Sequence, residues 1–440
     1  MKESKEYFDL DKYIPHPLLQ INEWINERYD RQYNTITMVL EWKKKDSLIW
    51  NTYDNMLLND IYLQMAVENF RPYGSKDVPK NSIETVIYSS YTKKIHPIND
   101  YFATLKYNPG IDYINELSKC IFLDSSQDYY LDNKPQNDFL PIFLKRWFVH
   151  AYALSIGKNI GSGHVLLGFY GGQGVGKSTF LNSLLPKELS SFLYSGPIIP
   201  SITNYNTADL MAEKILINID DQLDELNKKS LNDIKQLITL DKVTSTKKYI
   251  ANSVTRPRIA SFVASVNTRE IFTDTENRRY MMFSIDTNKR YFYDQDKFNR
   301  IPLGQVWAQA KQLYEHGFLS FYSAPERIII NSSGQNYTYI SLEYEWLMKC
   351  YAPVHEAEFG NDGIIRITSS EMFSNIKNIS KLYSLREKEF KQAREKLGFK
   401  SKAYRSKNHN NNSTDLYTVK QLYEIDIYDN DKIRFINDNN

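Results

Sequence analysis

The 440-residue chain is poor in the features that define several classes of protein. Its two cysteines, Cys120 and Cys350, have no Cys-x-x-Cys spacing and no histidine cluster beside them, which argues against a zinc site and favours a reducing compartment. No run is long and apolar enough to span a membrane, and the charged start Met1–Tyr7 lacks the apolar stretch of a signal peptide. We therefore expect a cytoplasmic protein without a membrane partner.

Excess charge of one sign is also absent. The formal net charge is +2, so the whole molecule is not a polycation and any nucleic-acid surface must be local. A hydrophobic fraction of 42% is that of an ordinary soluble protein. The length leaves room for two or three domains with substantial cores.

A glycine-rich stretch at residues 171–178 fits G-x-x-x-x-G-K-[ST] in full, between a strand-like run at 164–170 and a helix-like run at 178–185. In such a loop backbone N–H groups face the phosphates, Lys177 reaches the β- and γ-phosphates, and Ser178 offers its hydroxyl to Mg²⁺. The alternative is an accidental glycine-rich turn. We expect ATP and Mg²⁺ as cofactors, and the residues expected to bind ATP are Gly171, Gly172, Gln173, Gly174, Val175, Gly176, Lys177, Ser178 and Thr179.

Two carboxylates follow a later apolar run. Residues 215–219 read as a buried strand that ends in Asp220 and Asp221. Asp220 is the candidate for the Mg²⁺ shell, together with Ser178, and Asp221 is the candidate for orienting or deprotonating the attacking water. The alternative is a strand that ends in a solvated acidic loop.

Further polar residues follow the next apolar run at 259–266. Asn267 ends this run, where an amide can sense the γ-phosphate and position water, or can simply cap a turn. Arg278 and Arg279 precede another strand-like run at 281–285. Paired arginines at such a place suit an arginine finger that acts on a neighbour's nucleotide, although surface arginines beside a strand are common.

The alternation of strand and helix signals predicts an α/β fold. Strands at 164–170, 214–219 and 259–266 imply a mostly parallel sheet flanked by helices, as in a P-loop ATPase core. We divide the chain into an N-terminal α+β domain over 1–105, an ATPase domain over 106–325 and a C-terminal domain over 326–440. Within the first, the run at 35–40 reads as a strand.

The C-terminal part has the outline of a winged helix at about 365–425. Capping boxes at 368–371 and 384–387 open two helices, and Gly398 closes the second. Strand-like runs at 402–405 and 416–419 follow.

Positive charge is concentrated in this part. The stretch from Arg366 to Lys407 holds twelve Lys or Arg and four Glu, a local net charge of +8. Such a concentration favours duplex DNA as a partner, because phosphate contacts need cations. The alternative is a protein-interaction module.

In their order, these motifs resemble the virulence-associated protein E group of mobile-element ATPases, which is related to superfamily 3 helicases within the AAA+ class. The stretches at 256–262, 272–274 and 277–280, together with Asn267, carry the resemblance, which is firm over about 110–290. The roles it implies are Walker A for Lys177 and Ser178, Walker B for Asp220 and Asp221, sensor 1 for Asn267, and an arginine finger for Arg278 or Arg279. It also implies a homo-oligomeric ring, a hexamer, because the finger acts on a neighbouring subunit.

By the same resemblance, a hairpin before sensor 1 projects into the ring pore and grips single-stranded DNA. Lys247 or Lys248 would contact the backbone there, helped by Tyr249, whereas the plain alternative is a solvated hairpin tip. The second Walker B acid is Asp221 where the family usually carries Glu, and the missing methylene predicts slow hydrolysis. Residues 1–105 lack the acidic metal-binding pattern of a primase, so we expect oligomerisation or contact with DNA or a partner there.

Three functions fit this sequence. The first is an ATP-driven ring helicase in replication of a phage or other mobile element. The second is an ATP-dependent DNA-binding initiator or loader without processive unwinding, which the aspartate at 221 favours. The third is a P-loop switch that engages a protein partner, against which the basic C-terminal part and the hairpin lysines speak.

Overall fold

The fold is analysed in a computed structural model. The residues that it describes are 16–72, 75, 77–124, 128–129, 134–158, 161, 163–201, 203–220, 228–245, 253–268, 278–335, 337, 341–355, 363–405, 413–426 and 432–435. They form two compact units, the first made of residues up to Asn267 together with Arg278–Asn331, and the second made chiefly of residues from Ser332 onward. Among the described helices, none is long and apolar enough to cross a membrane.

The first unit opens with a small sheet covered by helices. Its elements are α1 (Pro17–Arg28), β1 (Tyr29–Asn34), β2 (Val39–Lys44), β3 (Asn51–Thr52), α2 (Asn55–Val67), α3 (Lys80–Ile87) and β4 (Lys93–Ile95). The sheet has the order β3-β2-β1-β4, with β1 antiparallel to β2 and parallel to β4. Trp24, Ile61 and Ile83 are buried in the core beneath it.

The strand predicted at 35–40 is wrong over 35–38, whereas Val39 and Leu40 do begin β2. Residues 35–38 form the turn between β1 and β2, and Met38 takes a left-handed φ of 58°. The side-chain oxygen of Asn34 accepts hydrogen bonds from the backbone N–H groups of Ile36 and Thr37. This local bond stabilises a turn that the β-branched residues alone do not indicate.

The next helices share one hydrophobic core with a second sheet. They are α4 (Pro97–Thr104), α5 (Tyr113–Ser118) and α6 (Gln136–Ser155), with short strands β5 (Asp128–Tyr129) and β6 (Lys134–Pro135) between the last two. Most residues of α6 from Phe143 to Ser155 are buried, in keeping with the largely apolar sequence of its second half. Phe102 and Phe148 both pack against Trp307, so these helices and the later chain share one core.

The second sheet is parallel throughout. Its elements and the segments that connect or follow them are β7 (Leu166–Tyr170), α7 (Lys177–Asn182), a 3₁₀ helix (Lys187–Phe192), β8 (Leu193–Ser195), α8 (Tyr205–Glu213), β9 (Leu216–Asn218), α9 (Lys228–Thr239), β10 (Lys242–Ser245), β11 (Val254–Pro257), β12 (Ser261–Val266), β13 (Tyr280–Ser284), α10 (Gln295–Arg300), α11 (Leu303–Glu315) and α12 (Ala324–Gln335). The strand order is β13-β7-β12-β9-β8, and β10 and β11 pair separately as an antiparallel hairpin. The predicted mixed α/β fold with a parallel sheet is therefore confirmed, and the three predicted strands each begin two residues later than expected.

The amino ends of the central strands are held by a buried polar cluster. His150 Nε2 lies 2.7 Å from His164 Nδ1, and a guanidinium nitrogen of Arg258 lies 2.6 Å from the same atom. Burial, and then the charge of Arg258, lower the pKa of His164 to about 4, so this ring is neutral at pH 7 and accepts a hydrogen bond. The cluster ties α6 to the starts of β7 and β12.

The second unit combines three helices with an antiparallel sheet. Its elements are α13 (Leu342–Cys350), β14 (Tyr351–Pro353), β15 (Ile364–Thr368), α14 (Ser369–Ser380), α15 (Glu387–Lys396), β16 (Ser401–Arg405), β17 (Ser413–Gln421), β18 (Tyr423–Asp426) and β19 (Lys432–Phe435). Strand β17 pairs with β14, β15 and β16. Gly398 has a φ of 77° just after α15, as expected of a residue that ends a helix.

One of the two predicted capping boxes is confirmed. Thr368 and Glu371 exchange the reciprocal backbone hydrogen bonds of a capping box at the start of α14. The box predicted at 384–387 is wrong, because Arg386 precedes α15 and makes no side-chain cap. Instead, the carboxylate of Glu343, which reaches over from α13, accepts the backbone N–H of Arg386 at 2.8 Å.

These two helix starts give a matched test of stability. We expect Thr368→Ala to lower the free energy of unfolding of the second unit by about 1 kcal/mol, because it removes the cap. Ser384→Ala should change it by less than about 0.5 kcal/mol, as is usual for an exposed serine without such a bond. Urea unfolding of both variants measures the difference, and equal losses would contradict the assignment of the caps.

Candidate functional site

The candidate site lies where three neighbouring strands end. Strands β7, β12 and β9 are adjacent in the sheet and run in the same direction. The glycine-rich loop from Gly171 follows β7, Asn267 follows β12, and Asp220 comes two residues after β9. Because the strands are parallel, these three segments lie together at one edge of the sheet although they are far apart in the sequence. This carboxyl edge is where α/β proteins bind their ligands.

Glycine is required in the loop at two positions by the backbone conformation and at a third by close packing. Gly174 and Gly176 have φ values of 80° and 92°, in the left-handed region that side chains rarely adopt. Gly171 lies so close to Ile285 that a Cβ atom there would overlap its side chain. The loop consequently turns tightly out of β7, and α7 begins at Lys177 directly after Gly176.

Lys177 is the polar centre of this edge. Its side chain is buried, with 5% of the residue exposed. Its ammonium group donates to the carbonyl oxygens of Gly171 at 2.9 Å and Gly172 at 2.8 Å, and to Oδ1 of Asn267 at 2.8 Å. The lysine and the asparagine, which the sequence placed 90 residues apart, are thus in direct contact.

A second polar chain joins the metal-binding candidates. Ser178 Oγ lies 3.3 Å from Oγ of Ser265, and the Ser265 hydroxyl donates to Oδ1 of Asp220. The Ser178 hydroxyl and the Asp220 carboxylate thus lie on either side of Ser265. Both offer oxygen atoms, which are the ligands that Mg²⁺ prefers. In the part of the chain that the structure describes, no group of three or more His, Cys, Asp or Glu is placed to bind a metal. A metal here would therefore rely on the Ser178 hydroxyl, the Asp220 carboxylate and the ligand's own oxygens.

Ser265 is a site residue that the sequence reading missed. It is 1% exposed in a strand whose six residues are all buried, between Ala264 and Val266. Residues two apart in a strand face the same side, so Ser265 and Asn267 both point towards the loop. A serine two positions before the asparagine, at the end of a largely apolar strand, is the signal in the sequence.

The loop and Asn267 enclose a cavity of about 210 Å³. Its lining is mainly polar and consists of Gln173, Gly174, Gly176, Lys177, Ser178, Thr179, Ser265 and Asn267. Backbone N–H groups, an ammonium group and hydroxyls around one cavity can bind a polyphosphate and orient a cation beside it. Six of these eight residues were predicted from the loop motif, and Asn267 was predicted separately.

Two predicted arginines lie elsewhere. Arg278 and Arg279 come directly before β13, which pairs in parallel with β7 from Tyr280 opposite Leu166 onward. They therefore lie at the amino edge of the sheet, roughly 15 Å of strand away from the loop. Arg278 is exposed and Arg279 is half-buried. The predicted residues Asp221, Lys247, Lys248 and Tyr249 lie outside the described residues.

Comparison with known proteins identifies the domain that carries this site. Residues 121–339 match the family described as the Virulence-associated protein E-like domain, as the order of motifs predicted. Among solved structures, the chain is similar to two apo structures of the NrS-1 C-terminal region. The identities are 12% and 11% and the TM-scores 0.46 and 0.48, and each match covers 92% of this chain and 99% of the other. No curated protein sequence matches significantly.

The bridging role of Ser265 gives a sharp prediction. Ser265→Ala removes a hydrogen bond to a charged group, which is worth roughly tenfold or more in affinity, so we expect a higher Mg²⁺ concentration for half-maximal ATP turnover. Ser261→Ala is the matched control, since Ser261 is also buried in β12 but lies at its other end. A titration of turnover with Mg²⁺ should shift for the first variant alone, and equal behaviour of the two would contradict the assignment.

Proposed function

We propose that this protein is an ATP-hydrolysing DNA helicase that acts as a hexameric ring in replication of a phage or other mobile element. The observation that supports it best is the Lys177–Asn267 contact beside the Ser178–Ser265–Asp220 chain at one edge of the parallel sheet. This arrangement offers a cation for phosphate oxygens, ligands for Mg²⁺ and an amide for the γ-phosphate, which are the parts that phosphoryl transfer requires.

ATP would enter through the loop. The ammonium group of Lys177 would exchange the carbonyl oxygens of Gly171 and Gly172 for β- and γ-phosphate oxygens, which bind a cation more strongly. Ser178 and Asp220 would hold Mg²⁺, and Asp221 would orient the attacking water. Asn267 contacts Lys177, so a γ-phosphate bound by the lysine would change the partners of both side chains together.

The position of the arginine pair supports a ring. Arg278 and Arg279 lie at the amino edge of the sheet, opposite the loop of their own subunit. An arginine finger at that position acts on the nucleotide of a neighbour, and it neutralises charge in the transition state only when subunits are adjacent. Hydrolysis would in this way depend on the assembled ring.

DNA would be contacted at two places. Lys247, Lys248 and Tyr249 come between β10 and β11 in the sequence, and at the tip of a hairpin they would grip single-stranded DNA in the pore. The base of this hairpin is tied to α8, because Arg256 pairs with Asp209 and with Glu213. Movement of the core would therefore reach the tip through the hairpin strands.

The second unit would add contacts to duplex DNA through a winged helix. Lys388 and Lys391 are exposed on α15, whereas the guanidinium of Arg394 is buried over the ring of Tyr417. The exposed lysines suit phosphate contacts, and the arginine serves packing.

The alternative is an initiator or loader that uses ATP to assemble on DNA without processive unwinding. Asp221 favours it, because a side chain one methylene shorter than Glu reaches less far towards the water. In this alternative the second unit would find the DNA and the ring would close around it.

Strand displacement on forked DNA, measured together with ATPase activity stimulated by single-stranded DNA, tests the function. We expect the wild-type protein to do both and Lys177→Ala to do neither, since the lysine supplies the phosphate contacts. ATPase activity without displacement would favour the initiator. Full activity of Lys177→Ala would contradict the site itself.

Mixing experiments test the role of the arginine pair. The double variant Arg278→Ala with Arg279→Ala should be inactive alone, as should Lys177→Ala. Mixed one to one, they should regain about a quarter of wild-type ATPase activity, because a quarter of interfaces then join an intact loop to an intact finger. Arg300→Ala, an exposed arginine in α10, is the control and should be active alone. Inactivity of the mixture, with both variants folded, would contradict action between subunits.

A further inference from the structure

A second cavity, of about 320 Å³, lies on the other side of the glycine-rich loop. Its lining includes Phe122, Lys289, Arg290, Tyr291 and Tyr293. It adjoins the loop at Gly176, since a Cβ atom placed on that glycine would lie 3.4 Å from the ring of Tyr293 and 3.9 Å from the ring of Tyr291. Gly176 lines the first cavity, so this one loop residue lies between the first cavity and two of the rings that line the second.

The walls of this second cavity are fixed by backbone hydrogen bonds. Phe292 donates its N–H to the carbonyl of Val175 in the loop at 3.2 Å, and Phe122 donates its N–H to the carbonyl of Phe292 at 2.7 Å. Ile121 and Tyr293 form an antiparallel bridge. The chain's own backbone therefore holds the aromatic wall in place, which limits the ordering that binding would require.

The two sides of the loop differ in chemistry. The side that faces β12 carries Asn267, Ser265 and Asp220, the groups suited to the γ-phosphate and Mg²⁺. A nucleotide whose γ-phosphate lies on that side extends its ribose and base in the opposite direction along the loop. That direction leads to the segment after β13, the strand on the other side of β7, and hence to Tyr291.

The side chains there suit a flat, electron-rich ring. Tyr291 is 37% exposed and its ring is open to the cavity, with the guanidinium of Arg290 5.3 Å from the ring centroid. The ammonium of Lys289 lies 5.4 Å from the ring centroid of Phe122 on the facing segment. Aromatic faces stack on bases, and long cations beside them can reach ribose or α-phosphate oxygens.

We propose that this cavity is the nucleobase subsite of the same nucleotide, with the base stacked on Tyr291. This assignment rests on the proposed nucleotide-binding function. It concerns the base, which is the part of the nucleotide that the loop does not contact. Tyr293 is buried among Phe180, Phe292 and Phe298 and supports the wall from behind.

The test compares ligands with and without a base. Binding of ATP, ADP and inorganic tripolyphosphate is measured by calorimetry for the wild-type protein and for Tyr291→Ala, Tyr291→Phe and Tyr205→Ala. Tyr291→Ala should weaken ATP and ADP about tenfold, because stacking is lost, and should leave tripolyphosphate unchanged. Tyr291→Phe keeps the ring and should bind like wild type, as should the control at Tyr205, which is exposed on α8.

Two results would overturn the subsite while the proposed function stands. One is that Tyr291→Ala binds ATP as the wild-type protein does. The other is that it loses affinity for tripolyphosphate by the same factor as for ATP, which would mean that Tyr291 supports the loop. A wild-type protein that binds neither ATP nor tripolyphosphate would instead refute the function and the subsite together.

Discussion

The ammonium group of Lys177 is held between two carbonyl oxygens of its own loop and the side-chain oxygen of Asn267. A buried ammonium group must find acceptors for its three N–H bonds, because leaving them unmet costs several kcal/mol. Here one acceptor comes from the end of β12, so the loop and that strand must be neighbours. The place of β7 beside β12 in the sheet satisfies this condition, and the remaining site residues follow from it.

The parallel sheet separates two kinds of polar chemistry. At its carboxyl edge the polar groups surround a cavity. The hydroxyl of Ser265 lies between Ser178 and Asp220 at the wall of this cavity. At its amino edge His150, His164 and Arg258 are packed tightly, and the lowered pKa of His164 keeps that ring neutral. The first edge can exchange its partners for those of a ligand, whereas the second holds the strands in place. The two edges differ because all strands of the sheet run in the same direction. Their carboxyl ends therefore lie at one edge and their amino ends at the other.

The loop lies between a polar and an aromatic surface. Gly176 contributes to both, since it lines the cavity beside Lys177 and adjoins the rings of Tyr291 and Tyr293. A side chain there would be strained by the φ of 92°, whereas its Cβ atom would make only ordinary van der Waals contact with those rings, so the requirement for glycine is conformational. The loop therefore lies against a segment more than 110 residues later in the chain.

The local sequence pattern was enough to predict the loop, the buried strands, the parallel sheet and the capping box at Thr368. Each of these predictions depends on residues that are close in sequence. It failed where a distant group intervened or where a side chain bonded nearby backbone. Glu343 holds the start of α15 in place of Ser384, and the side chain of Asn34 stabilises a turn over 35–38 within the run predicted as a strand. Only the tertiary structure decided that Ser265 meets Asp220 and that Tyr291 adjoins Gly176. The order of strands in the sheet differs from their order in the chain, and that order, set by long-range packing, decides which side chains meet.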